Sequence, residues 1–191
     1  LANEFIRESA PSKLSDRNIS GADATEIGYM RAEARFLRAL SYYHALDLFG
    51  SVPFVTENDN VGAFLPNQTS RTALFSYIES ELKAIETELK DARSNQYGRA
   101  DKAAAWALLS RLYLNAEVYT GTAKFGDCIT YCNKVTAVTG YTLAGNYRNL
   151  FLADNNTTGA GEFIFAVNFD GTKSRTWGGT TFLCHAPVGG S

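Results

Sequence analysis

Residues 31–54 read RAEARFLRALSYYHALDLFGSVPF and carry the strongest helix signal in the chain. Apolar side chains fill most positions from Phe36 to Phe49, a run too long for a buried strand and too short for a membrane span. Gly50 and then Pro53 follow, which is the usual way for a helix to end. Since a helix that is apolar on almost every side needs neighbouring helices to cover it, we expect helices packed on helices.

The composition fits one globular domain or a large piece of one. The chain has 191 residues, of which 45% are hydrophobic and 20% charged. Its net charge is −2, and Lys and Arg are spread evenly, which argues against binding to nucleic acid or an anionic membrane surface. The chain also holds ten Tyr, twelve Phe and two Trp, so some aromatic rings are available for a surface.

Five helices are expected from the spacing of apolar residues. The clearest is amphipathic, with a stripe formed by Leu74, Ile78, Leu82, Ile85 and Leu89. The predicted helices span residues 2–9, 22–48, 72–92, 101–119 and 125–139, with loops at 11–21 and 58–70 and an extended piece at 52–55.

The character of the chain changes at residue 145, where Gly, Asn and Thr become frequent. Residues 162–169 and 180–184 read as strands. We therefore predict a mainly α fold of tetratricopeptide-like antiparallel helix pairs, followed by an irregular region with a small amount of β structure. The expected organisation is a helical-repeat scaffold over 1–144 and an irregular region of the same domain over 145–191.

Catalytic signatures are absent from the sequence. It contains no P-loop, HExxH, GxSxG or dinucleotide fingerprint. His44 lies within the apolar helix and is expected in the core. Cys128 and Cys132 are four residues apart on a predicted helix, a poor spacing for a disulfide or a zinc site, and we expect them to be buried. Carboxylate pairs exist, but nothing singles one out as acid and base.

Arg31, Arg35 and Arg38 fall on one helical stripe, for which two interpretations stay open. The stripe could bind an anion, or it could pair with carboxylates on neighbouring helices. We favour pairing, because buried arginines are normally paired.

Calcium is a possible cofactor of the irregular region. Oxygen-bearing side chains at residues 154–156 and at Glu162 flank a Gly-containing loop, and Asp170 follows a predicted strand. Such oxygens can bind Ca²⁺, although the spacing of an EF-hand is missing.

The segment DGTKSRTWGGTTFL, residues 170–183, is the strongest candidate for a binding loop. Trp177 precedes two glycines that cannot cover its ring, while Lys173 and Arg175 supply hydrogen-bond donors. Sugars stack their C–H faces on aromatic rings and need donors for their hydroxyls. An indole folded under its own loop would explain the pattern equally well.

Four segments resemble the SusD/RagB family: ANEFIRE at 2–8, the stretch from Arg31 to Glu57, residues 98–119, and EFIFAVNFDGT with WGGTTFL at 162–183. The last is most similar to the starch-binding subgroup. The resemblance implies a surface-exposed outer-membrane lipoprotein of Bacteroidetes that binds glycans without cleaving them and covers a SusC-like TonB-dependent transporter. It also implies that the chain is an internal part of a longer protein whose lipid anchor lies elsewhere, and that calcium could be bound.

On this resemblance Trp177 is expected to stack on a sugar ring, and Lys173, Arg175 and Asn168 to donate or accept hydrogen bonds. The hypothesis is a non-catalytic binding protein for starch or maltooligosaccharides that takes part in nutrient uptake. The alternative is a helical-repeat scaffold for protein interactions without a sugar site. An enzyme is the least supported interpretation.

Overall fold

The computed structural model describes residues 1–62, 64–169 and 171–174. Within them the chain is mainly helical, which confirms the predicted fold class. The α-helices are α1 (Ala2–Glu8), α2 (Pro11–Asp16), α3 (Gly21–Phe49), α4 (Arg71–Ile85), α5 (Lys102–Leu114), α6 (Ala116–Thr120), α7 (Phe125–Thr136) and α8 (Asn155–Thr158), and a 3₁₀ helix spans Tyr147–Phe151. The division at residue 144 stays a prediction.

The core lies between α3, α4 and α5, with α1 packed on α3 and α7 on α5. All five residues of the predicted α4 stripe are buried, from Leu74 to Leu89. Burying a side chain of this kind contributes roughly 1.5–3 kcal/mol relative to leaving it exposed. Ala103 and Ala104 on α5 are also buried, and small side chains there let a neighbouring helix approach closely.

The long helix α3 is covered on one side rather than all round. Phe36, Ala39 and Leu46 face the core, whereas Leu48 and Phe49 on the opposite side are 70% and 73% exposed. The prediction that His44 lies in the core is wrong, because its side chain falls on the exposed side of the helix, where its ring meets the Tyr43 ring edge-on.

Several predicted boundaries differ from the structure. Residues 11–16 form a helix that begins at Pro11, where the fixed φ of proline suits the first helical position. Helix α4 ends at Ile85, and Asn115 separates α5 from α6. Within the described residues the sheet has two short antiparallel strands, β1 (Val52–Pro53) and β2 (Gln68–Thr69), with Val52 opposite Thr69.

Residues 162–169 are not a strand, contrary to the sequence prediction. Ile164 and Phe165 pack against the helical core, whereas Val167 and Phe169 are exposed, and no sheet forms there. The other predicted strand, 180–184, lies outside the described residues. No helix in the described ranges is both long and apolar enough to cross a membrane.

Candidate functional site

The chain reverses direction between Asn168 and Ser174 as it enters the predicted binding loop, of which residues 171–174 are described. The Ser174 hydroxyl donates a 3.0 Å hydrogen bond to the Asn168 carbonyl, and the Gly171 N–H donates a 3.0 Å bond to the Ser174 carbonyl. Gly171 has φ +76°, a conformation that favours glycine. Asn168 and Lys173 both have exposed side chains.

Three predicted site residues lie outside the part of the chain that the structure describes. They are Trp177 and Arg175, expected to contact sugar, and Asp170, expected to bind calcium. Their roles stay predictions.

The Asn168 side chain is seated on Gly98. A β-carbon placed on Gly98 would lie 2.1 Å from Asn168 Nδ2, far inside any real contact, and Gly98 has φ +80°. Position 98 therefore needs glycine for its backbone conformation and for the close approach of the amide.

The segment before the reversal is anchored to the scaffold by aromatic packing. The Phe165 ring meets the Phe36 ring of α3 edge-on, with centroids 5.2 Å apart. Ile164 packs against the same core. Glu162 Oε2 accepts a 2.7 Å hydrogen bond from the Ala144 N–H, which ties this segment to the chain that precedes the 3₁₀ helix. The binding loop thus leaves from a fixed base.

The turn that holds Gly98 is organised by the buried carboxylate of Asp101. Asp101 Oδ1 accepts a 3.1 Å hydrogen bond from the Ala104 N–H and caps α5. Its Oδ2 accepts a 2.7 Å bond from the Arg93 N–H. Arg93 has φ +63°, which is uncommon for a residue other than glycine. The Asp101 carboxylate thereby fixes both ends of the turn.

A cavity of about 170 Å³ lies between this turn and residues 160–166. Its walls combine aromatic side chains with polar ones, among them Arg93, Tyr97, Arg99, Tyr141 and Phe163. Arg99 is paired with Glu33 and Glu26. Burial raises the pKa of Tyr141 to about 12, so its hydroxyl is protonated at neutral pH.

Two of the three arginines of the α3 stripe, Arg35 and Arg38, are paired with carboxylates, as the favoured interpretation predicted. Arg35 forms a 2.9 Å ion pair with Glu81, and Arg38 contacts both Glu81 and Glu57. Burial alone would raise the pKa of Glu81, but hydrogen bonds from Arg35 and Arg38 outweigh it and hold the pKa below its ordinary value. Arg31 donates a 3.3 Å bond to the Ile6 carbonyl.

The described residues offer little to a metal ion. No group of three or more His, Cys, Asp and Glu side chains there could hold a metal ion. Glu162 already accepts a backbone hydrogen bond. Cys132 is exposed and Cys128 half-buried, so the prediction that both are buried is wrong. Calcium at Asp170 stays a prediction.

The sequence did not predict that the turn at 93–99 lies beside the binding loop. Its signal is an aromatic residue beside glycine in a polar stretch, Tyr97–Gly98, which is the same pattern that singled out Trp177. The contact between Gly98 and Asn168 joins positions 70 residues apart in the chain, and no local pattern indicates it.

Comparison with known protein families gives a match over residues 10–114 to the SusD-like family described as "Starch-binding associating with outer membrane". The starch-binding protein SusD of Bacteroides thetaiotaomicron is 45% identical over 173 residues, which are 89% of this chain and 31% of that protein. The SusD-like protein P2 of Formosa agariphila is 26% identical over 180 residues, which are 91% of this chain and 34% of that protein. The chain thus spans about a third of these relatives' length.

Solved structures give the same fold. A laminarin-binding SusD-like protein superposes with a TM-score of 0.70 and 25% identity, covering 93% of this chain and 38% of that one. A SusD-like carbohydrate-binding protein of Bacteroides fragilis has a TM-score of 0.66 and 22% identity, covering 88% of this chain and 31% of that one. The second likeness concerns the fold alone.

Proposed function

The chain belongs to the SusD-like family, and we propose that it is a non-catalytic glycan-binding protein of the cell surface. The observation that carries the proposal is the fixed base of the binding loop, where Asn168 is seated on Gly98 and Phe165 on Phe36. A loop held in this way can present an aromatic ring to a ligand without a large loss of conformational entropy on binding.

Starch or maltooligosaccharides are the proposed ligands. The 45% identity to a starch-binding protein supports this choice. Trp177 would stack on a sugar ring, and Asn168, Lys173 and Arg175 would bond to hydroxyls. We expect dissociation constants in the micromolar to millimolar range, about −8 to −4 kcal/mol, because a protein that passes its cargo on must also release it.

The proposed partner is a SusC-like TonB-dependent transporter in the outer membrane, to which this protein would deliver glycan for uptake. The family description, association with the outer membrane, supports this location. A lipid anchor would hold the whole protein at the cell surface. Calcium bound through Asp170 is part of the same proposal.

A scaffold for protein interactions is the alternative function. Exposed apolar side chains on several helices favour it, including Leu48, Phe49, Val118 and Ile129. In that case the Trp177 ring would be covered by protein, and its fluorescence would not change when sugar is added. Trp106 and Trp177 are the two tryptophans of these 191 residues, so a Trp106→Phe variant leaves Trp177 as the one tryptophan reporter within them. A change in its fluorescence on addition of maltoheptaose favours glycan binding over the scaffold.

Affinity electrophoresis in a gel that contains starch tests the proposal. The whole protein should be retarded, and Trp177→Ala should migrate as it does without starch. Trp106→Phe is the matched control, since Trp106 packs on the core and donates a 2.9 Å bond to Glu86. An equal retardation of Trp177→Ala and wild type would remove Trp177 from the site, and release of sugar during long incubation would contradict a non-catalytic role.

A further inference from the structure

The cavity between the 93–99 turn and residues 160–166 adjoins the binding loop. Gly98 lines this cavity and also seats Asn168, so the cavity and the loop share a wall. Phe165 contributes to another wall and is fixed against Phe36. A ligand that contacts Asn168 would therefore lie next to the cavity, with Gly98 between them.

Two arginines line the cavity, and they differ in their partners. Arg99 forms ion pairs of 2.7 Å with Glu33 and 3.0 Å with Glu26. The Arg93 guanidinium lies over the Tyr141 ring, 5.0 Å from its centroid, and no carboxylate of the described residues pairs with it. Arg93 therefore has hydrogen-bond donors to offer to a ligand.

Arg93 is held in place before any ligand arrives. Its backbone has φ +63° and is fixed by the bond to Asp101. A β-carbon on Gly140 would lie 3.1 Å from Arg93 Nε, so the side chain runs close along that residue. A residue held in a sparsely populated conformation is a reason to look for function.

Tyr97 supplies the aromatic surface of the cavity that is accessible from outside. It is 45% exposed and lines the cavity beside Gly98. An exposed ring, a guanidinium and the amide of Gln96 are the combination that a pyranose needs, since its C–H face stacks on the ring and its hydroxyls accept hydrogen bonds. Asp101 also lines the cavity, so a carboxylate and a guanidinium are both present in its walls, which favours a neutral sugar over an anion.

We propose that this cavity is a second subsite that takes one pyranose unit of the glycan bound at the loop, with Tyr97 as the stacking surface and Arg93 as the donor to its hydroxyls. The inference rests on the proposed function. It predicts that the protein prefers long oligosaccharides that reach both the loop and the cavity over short ones that reach the loop alone.

Isothermal titration of the whole protein with maltoheptaose and maltotriose tests the subsite. The wild type should prefer maltoheptaose by about tenfold, and Arg93→Gly and Tyr97→Ala should each remove most of that preference. Glycine accepts a positive φ, so Arg93→Gly deletes the donors without straining the backbone, and thermal melting shows whether it stays folded. Tyr97→Phe should keep the preference, and Arg148→Ala is a control on another exposed arginine.

Each outcome separates the subsite from the loop. If Arg93→Gly and Tyr97→Ala keep the wild-type preference while Trp177→Ala loses affinity for both sugars, the cavity is not a subsite and the proposed function stands. If Trp177→Ala binds both sugars as the wild type does while the cavity variants lose the preference for maltoheptaose, the subsite is supported and Trp177 does not contact sugar. If the wild type binds neither sugar, both proposals are overturned.

Discussion

The Asn168 amide lies directly against the backbone of Gly98. A β-carbon on Gly98 would be 2.1 Å from Nδ2 and 2.8 Å from Cγ of Asn168, distances at which one of the two residues must move. This contact joins the turn before α5 to the base of the binding loop, so the position of the loop depends on a residue that has no side chain.

Gly98→Ala should displace the loop and destabilise the fold. The positive φ and the lost space should together cost about 1–3 kcal/mol in the free energy of unfolding. Affinity for maltoheptaose should fall as well. Urea denaturation and titration of the same sample measure both effects.

Gly126→Ala is the matched control for this substitution. Gly126 lies in α7, and a β-carbon added there would meet no atom within 4 Å. Alanine should therefore stabilise the helix by at most about 0.5–1 kcal/mol, the figure for a helix interior, because Gly126 is only the second residue of α7, and it should leave glycan binding unchanged. Equal effects of the two substitutions would contradict the role given to Gly98.

Glu81→Gln should be strongly destabilising. Glu81 pairs with Arg35 and Arg38, and the Arg38 side chain is only 5% exposed. Removing the carboxylate leaves Arg35 with Glu88 and Arg38 with Glu57 as partners, so the loss should be that of hydrogen bonds to a charged group, about 1.5–3 kcal/mol. Asp91→Asn breaks a pair with Lys102 in which the carboxylate is 82% exposed, and it should cost about 0–1 kcal/mol. Urea denaturation measures the free energy of unfolding of both variants. Equal losses for Glu81→Gln and Asp91→Asn would show that the ion pairs of α3 are as exposed to solvent as the surface pair.

Stability should fall in acid because of Glu79. Burial alone would raise its pKa, but hydrogen bonds from Lys83, Tyr113 and Lys124 lower it from 4.5 to about 2. A carboxyl group with a lowered pKa stabilises the fold fully above pH 4.5, and this contribution is lost as the pH falls towards about 2. Chemical denaturation across this window should give a shallower slope for Glu79→Gln than for wild type, and parallel slopes would exclude Glu79 as a cause.

Asp101→Ala should cost more stability than Ser70→Ala. Ser70 caps α4 by accepting one bond from the Ala73 N–H, for which about 1 kcal/mol is typical. Asp101 accepts two backbone bonds, from Ala104 and Arg93, and is buried. The Asp101 variant should also weaken the preference for long oligosaccharides, since it releases Arg93. Melting temperatures compare the stability of the two variants, and titration with maltoheptaose and maltotriose measures the preference for the longer sugar. A wild-type preference in Asp101→Ala would contradict the role of Asp101 in holding Arg93.

The scaffold could be predicted because its signals are local. The α4 stripe repeats at helical spacing and is buried along its length, and Asp101 caps the helix that it was expected to begin. The arginines of α3 were expected to pair, and Arg35 and Arg38 do.

The remaining features depend on contacts between distant parts of the chain. Residues 162–169 have the composition of a strand, yet the Phe165 ring packs on the Phe36 ring of α3 and no sheet forms there. His44 sits in an apolar run, but which side of α3 is covered depends on where α4 and α5 pack. Gly98 and Asn168 are 70 residues apart in the chain, and only the tertiary fold brings them together.

A crystal structure of the whole protein with maltoheptaose would show where the sugar lies. We expect a sugar ring stacked on Trp177, with a second sugar unit in contact with Asn168 above Gly98. A Trp177 side chain enclosed by protein, with maltoheptaose bound elsewhere or absent, would contradict this expectation.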